Sequence, residues 1–63
     1  MNRSRVTEEV AGKLVNDLFE NWDFKHFLKE FSDYCTWYGR FGATNRIIFT
    51  DAVINEVENR IGV

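Results

Sequence analysis

The sequence predicts an all-α fold, a small three-helix bundle with helices over about 7–20, 23–38 and 45–61 of its 63 residues. Three observations predict it. Apolar side chains recur at steps of three and four along three segments, which places them on one face of a helix. No proline interrupts any segment. The clearest punctuation, Gly39 with Gly42, falls between the second and the third.

In the first segment Val10, Leu14 and Leu18 recur every fourth residue, with Val6 before them. Ala11, Val15 and Phe19 widen the stripe. Thr7 is the expected N-cap, with Ser4 one turn earlier as the alternative, and Glu8 and Glu9 suit the positive end of the helix dipole. Gly12 inside the segment weakens it by up to about 1 kcal/mol relative to alanine, unless it marks a close helix crossing. Asn21-Trp22-Asp23 is the expected break. Asn21 suits the left-handed turn that ends a helix, and Asp23 suits the cap of the next.

The second segment carries the densest stripe: Phe24, Phe27, Leu28, Phe31, Tyr34, Cys35 and Tyr38. Lys25, Lys29, Glu30, Ser32 and Asp33 occupy the other face, with Lys29 and Asp33 spaced for an ion pair. Residues 39–43 form the expected loop, and Thr44 is the candidate cap of the third helix. In that segment Ile47, Ile54 and Ile61 are spaced by sevens with Thr50 and Val57 between them, which reads as one helix. The β-branched and aromatic run at 46–50 is also compatible with a short strand, for which only 36–41 could supply a partner.

A chain this short forms one domain, and its core is marginal unless a disulfide, a metal or self-association supports it. One cysteine excludes an internal disulfide, and one cysteine with one histidine does not make a closed zinc site. Six Phe, two Trp and two Tyr compensate, because aromatic side chains bury the most area per residue. A net charge of −2 carries no basic excess for general nucleic-acid binding. No run approaches the length of a membrane span and no secretory leader is evident, so a cytoplasmic protein is expected.

Nothing in the pattern points to catalysis. His26 reads as a surface histidine beside Asp23 and Glu30, and Cys35 as core filler. Glu8-Glu9 and Glu56 with Glu58 do not converge as acid–base pairs. No phosphate-loop, dinucleotide or metalloprotease motif is present, and no cofactor is implied.

The aromatic surplus is more informative. Trp37 lies off the second stripe, Phe41 in the glycine loop, Trp22 at the first link and Phe49 off the isoleucine line. One small core is not expected to hold all four, and exposed aromatics mark interfaces. The leading expectation is a small non-enzymatic interaction or regulatory protein. It binds a protein partner, or itself as a homodimer, through Trp37 and Phe41, with Trp22 and Phe49 next. Its composition is of the kind that phages and mobile elements use to redirect a host protein. The alternative is a helix-turn-helix DNA binder with Thr44, Asn45 and Arg46 at the start of its recognition helix. A link of five or six residues and the acidic Asp51, Glu56 and Glu58 speak against it.

Overall fold

The computed structural model describes residues 3–62 and, for side chains, 6–62. The element order is α1 (Arg3–Asn21), α2 (Phe24–Gly39) and α3 (Ala43–Ile61), and there is no strand among the described residues. The three-helix bundle is therefore observed, with each helix a little longer than expected.

The longer α1 changes the role of Thr7. Helix begins by Arg3, so Thr7 lies inside it and is buried, not capping its start. Among the described side chains the buried stripe of α1 begins at Thr7, and Val6 before it is exposed. The side chain of Ser4 falls outside the described residues. Gly12 faces α3 without close crowding: a Cβ built there would meet the Glu56 carboxylate at 3.7 and 3.8 Å.

The first break differs by one residue from expectation. Asn21 is the last residue of α1, and its carboxamide donates to the Asp17 carbonyl and carboxylate at 3.1 and 2.8 Å. The left-handed position falls to Trp22, at φ 53°, whose N–H donates to the Leu18 carbonyl at 2.7 Å. That backbone geometry costs a non-glycine residue on the order of 1–2 kcal/mol. The indole offsets it by packing between Phe19 and Phe24, with ring centroids 5.2 and 5.8 Å away. Asp23 caps α2 as expected, accepting a hydrogen bond from the His26 N–H at 3.0 Å.

Between α2 and α3 the link is residues 40–42, shorter than the five or six expected. Successive i to i−3 bonds tighten it, from Arg40 to Trp37, Phe41 to Tyr38 and Gly42 to Gly39, at 3.1–3.2 Å. Gly42, at φ 118°, precedes α3, so Thr44 is not its cap. The positive φ is why glycine stands there.

The 46–50 run is helical. Its only potential partner strand, 36–41, is taken up by the last turn of α2 and the link, so a strand would have had nothing to pair with. Helical geometry also lets the Thr50 hydroxyl bond back to the Arg46 carbonyl at 2.9 Å.

The core has Phe49 at its centre, with no exposed surface at all. Three rings of α2 surround it: Phe31, Tyr34 and Tyr38, with centroids at 5.6, 5.8 and 4.9 Å. Ala11, Leu14 and Val15 of α1 and Val53 of α3 complete the buried cluster. The inward face of α3 is thus Phe49 and Val53, with Ala52 and Val57 beside them. Ile47, Ile54 and Ile61, which the heptad spacing suggested as the core line, are exposed. Two apolar stripes compete on α3, and the ring-lined face of α2 selects the one that carries the large ring.

Contacts at both ends set the helices side by side. Near the link, Cys35 Sγ lies 4.0 Å from Thr50 Oγ1, and Arg46 Nε donates to the Cys35 carbonyl at 3.2 Å. At the far end, Phe19 packs on Trp22 while Arg60 lies 5.7 Å over its ring. In α1 and α2, Asp17 and His26 approach to 3.7 Å. Accordingly α2 runs antiparallel to both α1 and α3.

Candidate interaction surface

The four aromatic residues expected to form one surface do not. Phe49 is the core and has nothing to offer a partner in this fold. The sequence signal that would have placed it inward was the i, i+4, i+8 series Phe49, Val53, Val57, which the heptad isoleucines obscured. Trp22 is exposed at the α1–α2 corner. It lies 15 residues from Trp37, roughly 22 Å away along α2 at 1.5 Å per residue.

Trp37 and Phe41 do come together. They remain 51% and 59% exposed. Their rings meet edge to face, with centroids 5.1 Å apart and planes at 70°. Trp37 also leans edge-on against buried Tyr38 at 4.9 Å, which ties the pair to the core. The tight link that follows α2 sets this geometry, because its hydrogen bonds turn Phe41 back beside Trp37. The result is a fixed apolar corner at the α2–α3 end of the bundle.

The residues suggested for DNA contact are engaged with that same link. Asn45 Nδ2 donates to the Phe41 carbonyl at 2.8 Å. Arg46 folds back onto α2, bonding the Cys35 carbonyl with its guanidinium against Gly39. Only Thr44 of the three is exposed without such a bond. A three-residue link is within the helix-turn-helix range.

His26 stands between two carboxylates, Asp17 and Glu30, each 3.7 Å from Nε2 and all half-exposed. Asp17, on α1, was not visible as a neighbour from local spacing, whereas Glu30 was. The side chain of Asp23 serves the α2 cap. Lys29 and Asp33 form no ion pair among the described residues, despite their spacing. Cys35 is a half-buried free thiol against Thr50. No group of three or more His, Cys, Asp or Glu residues with metal-binding geometry occurs among the described residues.

A shallow groove of about 460 Å³ runs between α1 and α3. Carboxylates and carboxamides line it, from Glu8, Asp51, Asn55, Glu56 and Asn59, beside Ile48 and Ala52. Among the described residues its lining includes no serine, threonine, cysteine or histidine. Among the described residues no helix is long and apolar enough to cross a membrane.

Comparison of the chain with protein-family models, with curated proteins and with solved structures gives no match.

Proposed function

We propose that this chain is a non-enzymatic protein-binding module of the cytoplasm, and that the Trp37–Phe41 corner is its anchor for a protein partner. One observation carries the reading. Two large aromatic rings are held against each other at a corner of the bundle while each keeps more than half of its surface in solvent. Trp and Tyr dominate binding hot spots because they bury much area with few rotatable bonds, and a ring already fixed against Tyr38 loses little further freedom on binding. Asn45 and Arg46 beside the corner are committed to the link and to α2, so the rings, bordered by exposed Arg40 and Thr44, are its available contact surface.

The test compares wild-type protein with Trp37→Ala as immobilised baits in extract from the native host, with circular dichroism on both. A hot-spot residue contributes about 2 kcal/mol or more, so the variant should hold its partner some thirtyfold more weakly at unchanged helicity. A captured protein retained equally by both baits would remove the corner from the interface. Loss of helicity in Trp37→Ala would show that the ring acts as core. Titration with duplex DNA separates the helix-turn-helix reading, which requires salt-dependent binding that falls on changing Asn45 or Arg46.

A further inference from the structure

A second apolar surface lies on another side of the molecule, and its occupant can be argued from its shape and charge. Leu28 and Phe24 stand two and three turns before Cys35 on the same side of α2. Ile47 and Ile54 stand one turn either side of Thr50 on α3, and Ile61 three turns beyond it. Because Cys35 and Thr50 meet where the helices pack, these five residues flank the α2–α3 seam on its outer side. All five are 49–61% exposed. Trp37 lies on the opposite flank of α2, three turns on from His26, which faces α1.

We propose that a second copy of this chain covers this face, as a two-fold homodimer whose axis runs parallel to α2 and α3. Area supports the occupant. The five side chains present roughly 500 Å² of apolar surface, against the roughly 800 Å² per partner that a standard interface buries, and their polar rim supplies the rest.

Charge selects the axis. Lys25 and Lys29 border the apolar strip on the α2 edge, and Glu58 borders it on the α3 edge, all exposed. Glu58 lies eight residues beyond Thr50, so in the antiparallel pair it stands level with about residue 27, between the two lysines. A two-fold axis along the helices keeps heights and exchanges edges. It sets Glu58 of each copy against Lys25 and Lys29 of the other, twice over, and stacks apolar strip on apolar strip. An axis across the helices would set α2 against α2 and α3 against α3, leaving Glu58 with neither Lys25 nor Lys29 opposite it. The parallel axis produces a four-helix layer from α2 and α3 of both copies, a stable packing for such seams.

Sedimentation equilibrium of the full chain across the micromolar range is the test. Wild type should pass from 7.5 kDa towards twice that mass as concentration rises. Ile54→Glu, at a half-exposed position, should weaken association about tenfold or more at unchanged helicity. Lys25→Glu and Glu58→Lys should each weaken self-association, yet the two variants mixed should pair, because each then meets opposite charge. Trp37→Ala should leave the dimer intact, which separates this face from the partner-binding corner. A wild type that stays at 7.5 kDa throughout, an Ile54→Glu variant that dimerises like wild type, or a mixture no tighter than its components would overturn the proposal. Loss of the dimer in Trp37→Ala would do so too.

Discussion

Gly12 stands in the middle of α1, where glycine is the least favourable residue after proline, yet the space beside it is not tight. Replacing it with alanine isolates backbone propensity from packing. Alanine gains about 0.8–1.0 kcal/mol over glycine in a helix interior by reducing the freedom of the unfolded chain. The new methyl would sit 3.7 Å from Glu56 Oε1 and 3.8 Å from its Cδ, ordinary contact distances that require no backbone shift. Partial burial of the methyl adds a few tenths of a kcal/mol, and partial desolvation of the carboxylate removes a similar amount. The net expectation is about 1 kcal/mol of stabilisation. In a domain of this size that raises Tm by about 4–8 °C. Thermal unfolding followed by circular dichroism at 222 nm, with urea titration as a check on ΔG, measures it. A fall in Tm would refute the reasoning, since it would mean that α1 and α3 pack as closely as they do only because residue 12 has no side chain.

Two further substitutions test the core and the cap. Phe49→Ala empties the site inside three rings at a cost of about 3–5 kcal/mol, most of the total stability of a domain this size, so its helical signal at 25 °C should be largely lost. Asp23→Ala removes the acceptor for the His26 N–H and should cost about 1 kcal/mol in urea unfolding, with the loss largely recovered in Asp23→Ser.

The extent to which the structure was legible in the sequence differs between elements. The α2 stripe and its Asp23 cap were readable because both are local: period, charge and capping oxygen all lie within a few residues. The boundaries moved where tertiary gain outweighed local preference. Thr7 is a good cap by type, but it is buried inside a helix that begins by Arg3. Asn21 is the better residue for a left-handed turn, but Trp22 holds it through Phe19 and Phe24, and ring contacts are not encoded in turn propensity. The candidate surface was legible in part. Trp37 and Phe41 were expected to be exposed and are, but their joining into one corner depends on the three-residue link.

By itself the sequence determined the class of fold, the number of helices and the absence of an internal disulfide, because helical period, missing prolines and a single cysteine act without reference to distant residues. It could not rank the two apolar stripes of α3. Both have helical spacing, and nothing local distinguishes a residue that needs burial within the chain from one that is left for a neighbour. The tertiary structure decided that by placing the rings of α2 around Phe49. Packing rewards the largest side chain that fits the available space, so Phe49 went inward and Ile47, Ile54 and Ile61 were left on the surface.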